Sequence, residues 1–258
     1  MAFGHTRLGP LGRQTGEVDF SQALKTTRRA RRISQLELAL RAGTTQRHVS
    51  FLESGRSTPG RALVVRLAEA MELPLRDRND LLHLAGFAPV YPQTAIGDAA
   101  LRPVCSALDH ILTGHLPYPA IVVDANHDLL LANEAFSLFT DGVAGKLLEP
   151  PINVLRLSLH PDGVAPRIVN LSSWAQHILD RLPPGDFRDE LAAYVPYVEP
   201  GPEHVGFAAP LQLRTPRGDL HLTTTITTFA TALDVTVAEL KLEAFLPADE
   251  ATAALLTS

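Results

Sequence analysis

Between Ser21 and Gly86 apolar residues recur at spacings of three and four, the period of helices that bury one side, and polar punctuation divides the stretch into five short helices. A first helix over about 21–31 turns Leu24 inward and its arginines outward. Ser34 with Glu37 reads as a capping box that starts a second helix, whose Leu38, Ala39 and Ala42 face the core. Gly43 ends it, because glycine takes the left-handed position after a helix without a Cβ clash. Thr45 caps a third helix over 46–54, with Val49 and Leu52 inward and Gly55 behind it. Thr58 and Pro59 read as N-cap and first residue of a fourth helix carrying Leu63, Leu67 and Met71, and a fifth runs over about 76–85.

After Gly86 the pattern changes. The run PVYPQTAIGD holds two prolines that cannot continue a helix, so a linker is expected over 89–98. A helix over 99–113 follows; then 119–124 and 128–132, around a turn at Asn126-His127, form a hairpin, and Asn133 caps a short helix. Helical stretches cover 152–159, 168–182 and 187–194. The last third alternates, with strands over 205–213 and 220–229 around the turn Thr215-Pro216-Arg217-Gly218, and another over 237–246. Two strands, several helices, then three strands predict an α+β domain with a five-stranded antiparallel sheet. That order resembles a PAS domain, in which helices across one sheet face leave room for a small molecule. The expected plan is an N-terminal arm over 1–19, an all-α domain over 20–88, the linker, an α+β domain over 99–250 and a tail over 251–258.

Charge follows the same division. Residues 1–92 hold 14 Lys/Arg against 8 Asp/Glu, and the remainder 9 against 20, within a net charge of -5. The basic part fits a partner such as nucleic acid. Two short helices joined by a tight turn form the unit that lays its second helix in the major groove of DNA, and here that helix is 46–54. Gln46, Arg47 and Ser50 on its outer side suit base edges: glutamine pairs with adenine, arginine with guanine, serine with either. Ser34, Gln35, Thr45 and Arg56 stand at helix ends, where dipole and charge favour phosphate.

The run LKTTRRARRISQLELALRAGTTQRHVSFLESGRSTP resembles the Cro/C1-type helix-turn-helix of the XRE family, through Leu24 and Arg28, Ser34-Gln35, Leu38-Ala39, Gly43, Ser50, Glu53, Gly55 and Pro59. The resemblance implies a five-helix, lambda-repressor-like DNA-binding domain. Arg32 stands where that family commonly has glycine; a left-handed backbone kept there would cost on the order of 1 kcal/mol. The segments PAIVVDANHDLLLANEAF and NVLRLSLHPDGVAPRIVNLSSWAQHILDRL, with the closing LEAFLPADEAT, resemble the MmyB-like ligand-binding domain found behind XRE-type motifs in bacterial regulators. That resemblance implies a PAS-like pocket for a fatty acid or similar lipid, and dimerisation.

Asn133, Asn153, Arg156 and His160 are the polar candidates for a ligand headgroup, arginine because it can hold a carboxylate bidentately. The competing reading has the asparagines capping helices while Arg156 and His160 tie loops to the sheet. Trp174 reads as core. A single cysteine, Cys105, excludes an internal disulfide, and the ten histidines form no HxxxH or HxH pair, so no metal site is expected. No P-loop, G-x-S-x-G or G-x-G-x-x-G is present, and no catalytic residues are assigned. Without an apolar run of membrane-spanning length or a signal peptide, the chain is expected in the cytosol. The expectation is a homodimeric regulator on a palindromic operator, responsive to an apolar or amphipathic ligand. The alternative is a ligand-independent regulator whose second domain only dimerises or meets RNA polymerase.

Overall fold

The computed structural model describes residues 19–195, 210–229 and 231–257. Five helices open it: α1 (Phe20–Ala30), α2 (Gln35–Arg41), α3 (Gln46–Glu53), α4 (Arg61–Ala70) and α5 (Leu75–Leu84). Their boundaries follow from caps. Asp19, Ser34 and Thr45 accept hydrogen bonds from the backbone N–H groups of Gln22, Glu37 and His48 at 2.8, 3.1 and 3.1 Å. Gly43, Gly55 and Gly86 take positive φ after α2, α3 and α5. One core joins Leu24, Leu38, Val49, Leu52, Leu67 and Leu82, all fully buried.

Several expectations need correction here. Glu37 does not close the capping box with its side chain; it pairs with Arg41 at 2.7 Å. Thr58-Pro59 does not start α4, because the Pro59 ring is buried and Gly60 takes the N-cap position, its carbonyl receiving Leu63 and Val64. Arg28 does not point outward with the other arginines but lies in the core at 7% exposure. Apart from Asp19, the arm expected over 1–19 lies outside the described residues, as does the expected strand over 205–209.

A 3-10 turn, Ala99–Leu101, leads into α6 (Arg102–Gly114). Five strands then build one antiparallel sheet: β1 (Ala120–Val123), β2 (Leu129–Ala132), β3 (Leu211–Thr215), β4 (Gly218–Thr228) and β5 (Lys241–Pro247), in the spatial order β2-β1-β5-β4-β3. The AIVV run of β1 is buried throughout, since it pairs on both edges, with β2 and β5, and is covered on both faces. Ile121 and Val123 face one core with Phe245, Leu220 and Leu222; Ala120 and Val122 face another with Leu242, Ala244 and Leu108 and Leu112 of α6. Strand alternation distributes these residues.

Over the first of those faces lie α7 (Ser137–Thr140), α8 (Val154–Leu159), α9 (Leu171–Leu179) and α10 (Asp186–Tyr194), which supply Phe139, Leu157, Leu159, Trp174, Ile178 and Leu191 to the core. Trp174 is buried, as expected. The helix expected over 168–182 is shorter because Ile168 bridges to Leu213 and the Asn170 amide bonds both Pro210 O and Gln212 N, which holds 168–170 out of the helix. The stretch expected as a strand from 237 begins as a helix, α11 (Val235–Glu239), whose Val237 N–H is capped by Asp234 at 3.2 Å; the strand starts only at Lys241. The expected tail over 251–258 is a helix, α12 (Glu250–Thr257), packed on β4 and β5 with Asp249 accepting from Thr252 N at 2.7 Å.

Two units emerge from the contacts. Among the described residues, one comprises those up to Thr94 together with 231–238, and the other those of 95–229 with 239–257. Within the first, Thr94 N donates to Asp234 Oδ2 at 3.0 Å and Val235 N to Pro92 O at 2.8 Å. The chain between β4 and β5 therefore contributes to the N-terminal unit.

Candidate functional site

The outer and inner sides of α3 do different work. Val49, Leu52 and Glu53 are buried, Gln46 and Arg47 are exposed, and Ser50 is half-buried on the outer side. A glutamate cannot enter a core unpaired. Arg28 of α1 supplies the partner: its Nε donates to Glu53 Oε1 at 2.5 Å, its Nη2 to Oε2 at 2.8 Å, and its Nη1 to the Ile33 carbonyl at 2.7 Å. Gln35 of α2 adds an amide N–H to Glu53 Oε2 at 2.8 Å. Burial pushes the Glu53 carboxyl up, but the hydrogen bonds from Arg28 and Gln35 and the charges of Arg28 and Lys25 hold it below the ordinary carboxylate value. Three helices thus meet at one carboxylate, and α3 is fixed to α1 and α2 from its inner side.

On the outer side the Arg47 guanidinium lies 5.1 Å above the Phe51 ring, which restrains a side chain that would otherwise sample many rotamers. Thr45 and Arg56 are exposed at the two ends of α3. Gln35 is half-buried, with one amide N–H committed to Glu53.

The four polar candidates in the second unit do not assemble into one site. Asn133 spends its amide on backbone: it accepts from Ala120 N at 3.1 Å and donates to Leu112 O and Tyr118 O at 3.1 and 2.9 Å. Asn153, buried at 7%, caps α8 by accepting from Arg156 N and donates to Asn126 O and Asp128 Oδ1. Arg156 and His160 do meet, in a cluster with α10. Arg156 holds Glu190 through two bonds of 2.6 and 2.8 Å and lies 5.0 Å above the Phe187 ring; Tyr194 donates to Glu190 at 2.6 Å, and His160 sits 4.8 Å from the Tyr194 ring. The Arg156 hydrogen bond is the main cause that lowers the Glu190 carboxyl from 4.5 to about 2. The charge of Arg156 is therefore already matched within the fold.

Residues 24–77 match the family model described as helix-turn-helix, and residues 104–195 match that of the MmyB-like transcription regulator ligand binding domain. The chain joins an XRE-type helix-turn-helix domain to an MmyB-like ligand-binding domain. An uncharacterized HTH-type transcriptional regulator of Sinorhizobium fredii is 40% identical over 55 residues, which is 21% of this chain and 28% of that protein. The chain thus spans little more than a quarter of the curated relative it matches. The match to the ligand-binding domain stops before β3, β4 and β5, so the closing half of its sheet is established by strand order alone.

Sequence reasoning missed two features of these domains. In the helix-turn-helix domain it noted Arg28 and Glu53 as family-like positions without their pairing, although each falls in helical phase with buried neighbours, Leu24 and Val49, and a charge in that phase requires a partner. In the ligand-binding domain it missed Arg167, which stands among the buried residues Ala165 and Ile168. Among the described residues no three His, Cys, Asp or Glu side chains are placed to hold a metal ion, and no helix is long and apolar enough to cross a membrane.

Proposed function

We propose that the chain is a sequence-specific transcription regulator of the cytoplasm, which reads DNA with α3 and adjusts its affinity through an effector bound by the ligand-binding domain. The observation that carries the proposal is the two-sided character of α3. Its inner side is anchored by Arg28, Gln35 and Glu53, while Gln46, Arg47 and Ser50 stand on the open side with the chemistry of base recognition. Thr45 and Arg56, with Gln35 through its remaining amide N–H, set the register against phosphates. One such helix reads a half-site, so a homodimer on a palindromic operator is the geometry that yields specificity.

The effector in this reading is a small apolar or amphipathic molecule of the fatty-acid kind. It acts by linkage, altering DNA affinity only insofar as it binds the two forms of the dimer unequally. Arg156 and His160, with Asn153 beneath them, could take the headgroup only by exchange, with the ligand's carboxylate replacing Glu190. Asn133, just past β2, holds the α6–β1 connection through Leu112 O, Tyr118 O and Ala120 N. Catalysis has no part in the proposal.

The test is selection of binding sites from random duplex DNA by the full chain, with native mass spectrometry of the same preparation. Recovery of an inverted repeat bound by two chains, with a lipid released by organic solvent, supports both halves of the proposal. Recovery of an inverted repeat by a dimer that holds no small molecule, and whose DNA affinity no added fatty acid changes, leaves a ligand-independent regulator. Failure to enrich any sequence sinks the DNA reading.

A further inference from the structure

Arg167 and Arg188 of the ligand-binding domain are half-buried cations with no carboxylate at ion-pairing distance among the described residues, and of the two Arg167 lines a cleft. Arg167 ends the 3-10 turn Ala165–Arg167 and reaches back to α7, where its Nη1 donates to Leu138 O and its Nη2 to Phe139 O, each at 3.0 Å. Those bonds use two of the five N–H groups of a guanidinium and bring it no formal counter-charge. Among the described residues no acid lies at ion-pairing distance; Asp141, exposed just past α7, acts on it only through space. Burial pulls the guanidinium below its ordinary value. Arg28 and Arg156, by contrast, each hold a glutamate through two bonds.

Arg167 opens onto a cleft of about 400 Å³ between α7 and the β3–β4 turn, with Leu138 and Pro216 as apolar walls, Thr215 beside them and Asp141 at the edge. Ser137, exposed at the start of α7, lines the same cleft and brings its hydroxyl to the rim. A half-buried cation with spare N–H donors, a hydroxyl at the rim and flanking apolar surface form the donor set that a carboxylate or phosphate oxygen accepts from, and such charge-assisted bonds are the strong ones.

We infer that this cleft binds the oxyanion of a carboxylate- or phosphate-bearing ligand, with Arg167 as the charge and Ser137 as a second donor. That the anion is the headgroup of the effector rests on the sensing proposal above; the anion site itself does not. It also moves the headgroup role from Arg156, whose charge is spent on Glu190, to Arg167, whose charge is not.

The probes are octanoate, inorganic phosphate and octanol, titrated by calorimetry into the full-length chain at constant ionic strength in chloride. Octanoate, phosphate or both should bind. Arg167→Gln should abolish that binding, but it also strips the α7 carbonyls and can fail through the fold. Ser137→Asp is the cleaner variant, because it sets a carboxylate in the cleft that Arg167 lines and touches neither carbonyl bond. It should weaken anion binding about tenfold or more without lowering the melting temperature. Asp141→Asn, which removes the opposing charge at the edge, should tighten it. Anion binding undiminished in Ser137→Asp, or no anion binding by the unaltered chain, overturns the inference. Octanol binding without either anion would likewise overturn it while leaving apolar sensing intact. Phosphate binding alone, sensitive to Ser137→Asp, would keep the anion site and detach it from a lipid-like effector.

Discussion

Arg32 carries a left-handed backbone, φ 56°, between α1 and α2, the conformation that glycine adopts without a Cβ clash. Its side chain is exposed, so nothing in the core depends on it. Arg32→Gly should therefore stabilise the helix-turn-helix domain by on the order of 1 kcal/mol, read as a rise in thermal midpoint. This strain was legible in the sequence, because the surrounding motif sets the backbone and the residue contradicts it. The pairing of Arg28 with Glu53 was not. Helical phase brings each to the core, but nothing local in the sequence says that residues 25 positions apart share a bond. Gln46 and Arg47, exposed on α3, test the opposite kind of role. Changing either to alanine should cost about 1 to 3 kcal/mol on the selected operator and far less on random duplex, measured by fluorescence anisotropy. Equal losses on both would mean that these side chains touch only the backbone of the DNA.

Elements are held to one another by a few polar ties set within apolar contact. Glu53 ties α3 to α1 and α2, and its side chain and that of Arg28 are 3% and 9% exposed. Glu53→Ala leaves a buried guanidinium without its counter-ion and should destabilise the domain by about 3 to 5 kcal/mol, enough for α3 to lose its seat before any contact with DNA is lost. Circular dichroism melts would show it. The tie between α8 and α10 is pH-dependent. Glu190 titrates lower in the folded chain than in the unfolded one, so its contribution is complete above the unfolded value of 4.5 and is lost as pH falls toward about 2. The thermal midpoint should drop over that interval, and Arg156→Gln should flatten that part of the profile. With the Arg156 and Glu190 side chains 43% and 34% exposed, solvent screening keeps the effect small. Sequence pattern located most elements and erred at their ends, for physical reasons visible in α4 and α11. Pro59 is buried ahead of a helix that Gly60 opens in its place, and Asp234 captured Val237 N and turned the start of an apparent strand into a helical turn.

At the scale of the molecule, alternation and turn residues were enough to give five antiparallel strands behind five helices, because each strand's period and each helix's caps are local properties. The unit to which the β4–β5 connection belongs was not readable, since 231–238 follows a strand in sequence yet packs with residues far upstream. Asp234 is the joint: its carboxylate accepts from Thr94 N at 3.0 Å and from Val237 N at 3.2 Å. Asp234→Ala should cost about 1 to 2 kcal/mol and appear as faster amide hydrogen exchange at Thr94 and Val237, with the amides of β1 unaffected. Engineers who treat regulators of this kind as cartridges, cutting at the linker and fitting the sensor to a new DNA-reading head, would carry 231–238 away from residues 92–94 that it bonds. A chimera from a single cut near residue 94 would leave the old head short of one piece and hand the new head a piece shaped for another. Modular exchange in this chain calls for three junctions, one in the linker and one on either side of 231–238.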